Sequence, residues 1–391
     1  MLPLIRLLPG RDRRVKAGHP WAFSNEIAMS AELRALPAGT PVRLEGDDGV
    51  KHGVWHFNPH SLIAARVLDR DPNAIPDAAW YQARIGRALA LRERLLPSPH
   101  YRLVHAEADG LPGLIIDRHG DAVALQANTA GMEAATPHIL AALRALIDPR
   151  LVIARNDSPV RKLEGLEEAV TTLHGEGGTA HVAEGAIRFE LDLTGGQKTG
   201  WFHDQRENRA RVAALCNGAT MLDAFCHTGG FGLAAAAAGA RHVTLLDRSE
   251  PALVLATRTA QAHGLSQVES VRGEALEVLE RWVNEGRRFD VVVADPPAFA
   301  KARKDEQPAL RAYARLARLA AQLVSPGGIL FMASCSHHVA PAAYADAVAH
   351  GIWRARRDAR QLFQGGAGVD HPVHPMLPES AYLKALLYAL D

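Results

Sequence analysis

Cys335 stands between Ser334 and Ser336 at the end of the apolar run GILFMASCS, where a buried strand meets solvent. One strand earlier, FDVVV is followed by Asp295-Pro296-Pro297-Ala298-Phe299. A thiolate and a carboxylic acid on neighbouring strand ends can drive substitution at a carbon that is by itself a poor nucleophile. Carbon-5 of cytosine is such an atom. A thiolate that adds to carbon-6 makes an enamine-like adduct whose carbon-5 can take a methyl group from a sulfonium, and a carboxylic acid hydrogen-bonded at N3 stabilises that adduct. An exocyclic amine needs none of this, because it has its own lone pair. Taken alone, a cysteine at a strand end is more often a small buried hydrophobe than a nucleophile. Its place one strand after the Asp-Pro-Pro segment gives Cys335 the catalytic reading. The two prolines fix a rigid, extended lip after Asp295, suited to gripping a flat heterocycle.

A second cluster reads as a cofactor loop. LDAFCHTGGFG sets Asp223 late in a strand and follows it with Gly229, Gly230 and Gly232 at the opening of a helix. Glycines there allow close approach to the backbone. The G-G-x-G spacing differs from the G-x-G-x-x-G that a dinucleotide pyrophosphate requires, which argues against an NAD-linked oxidoreductase. Strand HVTLLD then ends in Asp247, placed to accept hydrogen bonds from ribose hydroxyls. The arrangement resembles the S-adenosylmethionine (AdoMet) site of Rossmann-like methyltransferases. That resemblance puts Asp223 at the methionine moiety, Asp247 at the ribose and Glu274 on the adenine side. The cofactor set it implies is Asp223, Phe225, Cys226, Thr228, Gly229, Gly230, Asp247, Arg248, Glu274, Asp295 and Pro296.

These residues need a scaffold that brings strand ends together. From TMLDAF onward, apolar strands and helices alternate strictly, the pattern of a doubly wound parallel sheet buried on both faces. Ligands bind such sheets at the carboxyl ends of the strands. Ahead of it, residues 1–74 read as β-rich, with Asp48-Gly49 as a hairpin turn, and residues 75–183 as a mixed α+β segment. Residues 184–391 begin with a strand pair, AIRFELDLTGGQKTGWF, joined by a glycine turn, and continue into the alternating region. The 391 residues carry a formal net charge of +1, so any nucleic-acid site must be a local patch. Three cysteines in no paired spacing favour a reducing cytosol, and no zinc-type spacing marks a metal site. The N-terminus meets arginine too early for a secretory segment, so the expected location is cytoplasmic.

Taken end to end, the chain resembles the bacterial ribosomal RNA large-subunit 5-methylcytosine methyltransferases, AdoMet enzymes with an N-terminal PUA domain. The carriers are GRDRRVKAGHPWAF, QKTGWFHDQRENR, LDAFCHTGGF, ADPPAF, SCS and HPVHPMLPESAYLKAL. The resemblance implies an α/β fold in three parts: a PUA β-barrel, a middle α+β domain and a Rossmann-like methyltransferase domain. It implies Cys335 as nucleophile, Asp295 as its acid partner, AdoMet as cofactor, a cytosine in large-subunit ribosomal RNA as substrate, and a homodimer. On the RNA side stand Pro297, Phe299, Phe202, Arg206, Arg11, Arg14 and Lys16, the last three beside an aromatic pair, Trp21 and Phe23, that looks exposed. Trp201 and Asp204 have an alternative reading, as an interface aromatic and a helix N-cap. Two departures stand out: Ala298 where relatives usually carry lysine, and His227 where an aromatic often precedes Thr-Gly-Gly. No cysteine follows the two prolines, so product release proceeds without one. The competing readings are an amine-directed RNA methyltransferase with Cys335 idle, and a non-catalytic RNA-binding assembly factor.

Overall fold

In a computed structural model, which describes residues 2–196, 199–300 and 302–391, the chain folds into two compact units. The first comprises Met1–Val182, Leu191–His203 and Val369–Pro378; the second comprises Ala183–Glu190, Asp204–Gly368 and Glu379–Asp391. No helix among the described residues is long and apolar enough to cross a membrane.

The first unit holds two five-stranded sheets. One is built from Leu4–Arg6, Trp21–Ala22, Thr40–Glu45, Lys51–Phe57 and Ala65–Asp69 around the buried Trp55, Phe57 and Leu44. The expected hairpin at Asp48-Gly49 forms, with Gly49 at φ +78°, a conformation glycine adopts without a Cβ clash. The other sheet orders Ala169–His174, Leu151–Asn156, Ala122–Ala127, Leu114–His119 and His100–His105, with helices Ala78–Leu95 and Thr136–Ile147 packed through Ile85, Leu89, Ile139 and Leu143. Its two outer strands escape the sequence reading: Ala169–His174 has no buried apolar row, and His100–His105 buries Tyr101, Leu103 and Val104 within a run otherwise made of histidine and arginine. Glu164 links the two sheets of this unit. Its carboxylate accepts from Asn58 Nδ2 (2.9 Å), Ser61 Oγ (3.1 Å) and the Arg66 guanidinium (3.2 Å).

The expected strand pair at the opening of residues 184–391 falls one strand earlier. Thr179–Glu184 pairs with Ile187–Asp192, and Gly185 at φ +59° makes the turn. The later Thr-Gly-Gly stretch instead caps a strand end, where Asp192 Oδ1 accepts from the backbone of Thr194 and Gly195 (both 2.9 Å). Gln197 and Lys198, the first residues of QKTGWFHDQRENR, lie outside the described residues, as does Lys301.

The second unit is built on a seven-stranded sheet. Its strands are β1 (Thr220–Ala224), β2 (His242–Asp247), β3 (Val268–Arg272), β4 (Phe289–Ala294), β5 (Val324–Ser334), β6 (Ala359–Gly365) and β7 (Lys384–Leu390), in the order β3-β2-β1-β4-β5-β7-β6. Helices α1 (Arg206–Ala213), α2 (Gly230–Ala237), α3 (Glu250–Ala262), α4 (Ala275–Asn284), α5 (Glu306–Leu323) and α6 (Pro341–Arg354) connect them. β1 to β5 run parallel, as the alternating pattern requires, but β7 pairs antiparallel with both β5 and β6, so the sheet is mixed. The sequence reading has no β6. Five of its seven residues are exposed at the sheet edge, and ARQLFQG shows no buried period.

On one face, Leu279, Trp282, Tyr313, Leu316 and Tyr344 of α4, α5 and α6 pack on Leu222, Val292 and Leu330. Side chains alternate across a strand, so Phe331 points to the other face, where Phe231 of α2 meets it at 5.2 Å between ring centroids. Strand order reverses between β1 and β4, so the chain turns after Ala224 and after Ala294 open onto the same end of the sheet. Gly232 sets how closely α2 seats there. A Cβ at this position would lie 2.3 Å from Leu245 Cδ2 and 3.0 Å from Val243 Cγ1. Gly232 therefore serves helix-to-strand packing, not ligand approach. Gly232→Ala is expected to cost about 1–3 kcal/mol through overpacking, read as a lowered denaturation midpoint of the second unit.

Candidate functional site

The loop after β1 is strained and pinned. Phe225 and His227 adopt positive φ (63° and 50°), as does Gly229 (79°), before α2 begins at Gly230. Non-glycine residues persist in that region only where surrounding bonds over-determine them, which is common at ligand sites. The backbone N–H groups of Phe225 and Cys226 donate to Leu246 O (2.9 and 3.1 Å), and that of His227 to Asp247 Oδ2 (2.9 Å). Asp247 Oδ1 accepts from Ser249 N (2.8 Å), and each of its carboxylate oxygens has capacity to accept a second hydrogen bond. Asp223, buried at the end of β1, accepts from Gly232 N through Oδ2 (2.8 Å), while its Oδ1 has no hydrogen-bond partner.

Asp223 is the electrostatic centre of the site. Burial pushes its pKa up to about 7 against the Gly232 hydrogen bond, Asp295 and Asp247 push it the same way, and Arg209 opposes them. Three carboxylates from the ends of β1, β2 and β4 thus share one field, and the most buried has an unfilled acceptor. That donor set fits a ligand carrying positive charge, such as the ammonium and sulfonium of AdoMet. Beyond β2, Arg248 and Glu274 face each other across the surface at 3.7 Å, both largely exposed.

Asp295 is half-buried at the end of β4. Its Oδ2 accepts from Gln205 Nε2 (2.9 Å), and its N–H donates to Ala224 O (3.4 Å). Gln205 is itself fixed, since its Oε1 accepts from Asn208 Nδ2 (2.7 Å), which also donates to Gly366 O (3.2 Å). Sequence reading missed Gln205. Its helical spacing to Asn208 shows in the sequence, but nothing local marks it as the partner of Asp295. The helix N-cap is Gln205, not Asp204. Asp204 Oδ2 instead accepts from Tyr382 OH (2.5 Å), and the Tyr382 ring stacks on His337. Arg206 and Arg209 both turn to Glu184, Arg206 at 3.7 Å and Arg209 through two short bonds of 2.5 and 2.7 Å.

The two serines around Cys335 explain its placement. Ser334 Oγ donates to Tyr313 OH (2.8 Å), which also bonds Ser336 Oγ (2.8 Å), and both serines are fully buried. Ser336 Oγ further accepts from Ala300 N (3.3 Å), tying the loop after β5 to the lip after β4. With its neighbours buried, Cys335 itself is half-buried. The lip is braced from below by Phe299, whose ring lies 4.7 Å from that of Tyr313, while Pro296 is buried and Pro297 exposed. The other cysteines are set apart by burial. Cys216 is pushed up to about 12 and Cys226 well above the ordinary thiol value, so both stay protonated. Thr228 is buried within the same loop, its Oγ1 3.4 Å from His227 Nδ1.

The remaining sequence candidates belong to the first unit. Phe202 is half-buried, and Arg11 is exposed ahead of a short helix, Arg13–Lys16. Lys16 is held between Asp12 and Asp48, and the Arg14 guanidinium lies over the Phe23 ring (4.7 Å) and 3.9 Å from Glu26. A phosphate would have to compete with these partners. Trp21 and Phe23, expected to be exposed, are half-buried, and Trp21 Nε1 donates to Glu107 (2.8 Å).

Comparison with known proteins agrees with this geometry. Residues 159–389 match the family model described as S-adenosylmethionine-dependent methyltransferase, and residues 5–70 match a PUA-like domain. The chain is 36% identical over 394 residues to the ribosomal RNA large subunit methyltransferase I of Aeromonas hydrophila subsp. hydrophila, covering 98% of both chains. It is 36% identical over 390 residues to the protein of the same name from Shewanella denitrificans, again over 98% of each. Among solved structures, a putative methyltransferase complexed with SAH shares the fold, with a TM-score of 0.82 at 18% identity over 100% of each chain. The chain therefore belongs to the S-adenosylmethionine-dependent methyltransferases, with S-adenosylmethionine as cofactor and a PUA-like N-terminal domain, in the group whose curated members are named ribosomal RNA large subunit methyltransferase I.

Proposed function

We propose that the protein methylates large-subunit ribosomal RNA at carbon-5 of a cytosine, through a covalent adduct between Cys335 and carbon-6. The observation that carries this reading is the pairing of a half-buried Cys335, held by two inward-turned serines, with Asp295 at the end of the adjacent parallel strand. The printed names of the relatives supply the RNA class. The three-part division at residues 74 and 183 belongs to the same reading, with Arg11, Arg14, Lys16, Phe202 and Arg206 on the RNA side.

In this reading Asp223 holds the ammonium end of the cofactor with its unfilled Oδ1, Asp247 accepts from the ribose hydroxyls, and Glu274 and Arg248 border the adenine. When bound, the cofactor supplies an electrophilic methyl group. The target cytosine leaves its stack, because an in-stack base hides carbon-6. Pro297 and Phe299 wall the base. Cys335 Sγ forms a bond to carbon-6, and the charge moved onto the ring is stabilised at N3 by a hydrogen bond from Asp295, oriented by Gln205. Carbon-5 then takes the methyl group, the carbon-5 proton is lost to a base, and the Sγ–carbon-6 bond breaks to restore the thiolate and the aromatic ring.

Three outcomes test this. With carbon-5-tritiated cytosine in unmodified large-subunit ribosomal RNA, the native enzyme is expected to release tritium and Cys335→Ala to release none. Methyl incorporation without tritium release, indifferent to that substitution, would sink the mechanism in favour of an amine target. Gln205→Ala is expected to lower kcat by roughly 10- to 100-fold, the loss of a positioning contact to Asp295, with little change in cofactor affinity by calorimetry. Cofactor affinity itself should depend on pH. Asp223 has a pKa raised to about 7 in the free protein, and a cation bound to it lowers that value. Binding therefore releases a proton, and affinity rises with pH up to about 7 and levels above it. Asp223→Asn should weaken binding and flatten the profile; an unchanged slope would show that another group titrates.

A further inference from the structure

Lys384 is a buried cation beside the candidate site that the mechanism above does not use. It opens β7, directly opposite Ser334 of β5, and is 5% exposed. Its ammonium donates to the carbonyl oxygens of Ser336 (2.5 Å) and Val339 (3.2 Å), which bracket the turn immediately after Cys335. No carboxylate among the described residues pairs with it. A buried ammonium solvated by two carbonyls alone is costly to keep, and two acceptors leave its third N–H uncommitted. The titratable groups near this end of the sheet are Tyr313 from α5, Tyr344 from α6, Asp295 after β4, His337 and His338 next along the chain, and Tyr382, which stacks on His337 and donates to Asp204; Tyr388 lies four residues further along β7. Burial holds Tyr313, Tyr344 and Tyr388 neutral, pushing each above its ordinary value. Burial also pulls Lys384 down to about 8, and Cys335 is the one group that counters this. A thiolate at Cys335, one residue before the Ser336 carbonyl that the ammonium holds, would supply the anion its surroundings lack.

Resting on the reading of Cys335 as nucleophile, we propose that Lys384 is a positioning residue for the Cys335 thiolate: its buried ammonium ties down the turn behind the sulfur and supplies the positive charge that the thiolate faces. The serines and Tyr313 fix the direction of the side chain, and Lys384 sets its charge state. A protein that attacks carbon-6 then meets its substrate with the nucleophile already ionised, and the ammonium is available again when the thiolate is expelled.

The test is the pH dependence of alkylation of Cys335 in the full-length protein by iodoacetamide, without RNA or AdoMet, followed by mass spectrometry of the peptide that contains it. The thiolate forms the sulfur–carbon bond, iodide leaves, and the rate tracks the ionised fraction. The native midpoint is expected below the ordinary thiol value of about 8.5. Lys384→Met should raise it by roughly one unit or more at an unchanged limiting rate, and Lys384→Arg should keep it near the native value. A native midpoint at or above the ordinary value overturns the proposal, and needs no variant to fold. So does a Lys384→Met profile that superimposes on the native one. Either result leaves the nucleophile reading to the tritium experiment. A shifted profile in an enzyme whose tritium release ignores Cys335→Ala would sink the nucleophile reading instead.

Discussion

The hydroxyl of Tyr313 is the point on which the candidate site hangs. It is buried in the face of the sheet covered by α5 and bonds both serines that flank Cys335. Through Ser336 the same cluster reaches Ala300 and so the Asp-Pro-Pro lip. A buried hydroxyl left unpartnered would cost about 1–3 kcal/mol, so each member holds the others in place. The consequence is geometric. Two loops from neighbouring strands are locked to one another from beneath, and the cysteine between the two buried serines stays half-buried.

A second constraint is the crowding of negative charge where strand order reverses. β1, β2 and β4 each end in a carboxylate, and the sheet topology forces these ends together. Burial, with repulsion from Asp295 and Asp247, raises the pKa of Asp223 to about 7 in the free protein. The strained turn through Phe225 and His227 is kept in place by Asp247 and by Leu246 O, so ordering it does not have to be driven by the ligand. A site of this kind is poised for a cation, which is what the cofactor of this family brings. On the other side of β4, the buried Lys384 ammonium holds the turn after β5 through the carbonyls of Ser336 and Val339.

Much of this was legible before the structure. Asp223, Asp247, Asp295 and Cys335 all follow apolar runs, and an apolar run that ends in a polar residue before a helix places that residue at a strand's carboxyl end whatever the tertiary details. The alternation of strands and helices determined the parallel core of the sheet, and the glycine at 49 its hairpin. Sequence patterning misassigned the strand pair before the alternating region, because two nearby glycine turns look alike locally and only pairing decides which one joins strands. It missed β6 for a related reason: an exposed edge strand has no buried row to betray it.

What only the tertiary structure decided are the contacts made across long stretches of chain. Gln205 reaches Asp295 over 90 residues, Tyr382 reaches Asp204 over 178, and Lys384 reaches the turn after Cys335 over 48. No local period encodes such pairs, since each partner looks unremarkable where it stands. The basic residues of GRDRRVK show the converse. Their composition suggests a free cationic patch, but folding sets Lys16 between two aspartates and Arg14 against Phe23 and Glu26. The sequence by itself determined which residue types stand at the strand ends, because hydrophobic periodicity is local. The fold decided which of them share a field, because charge and hydrogen bonding act through space.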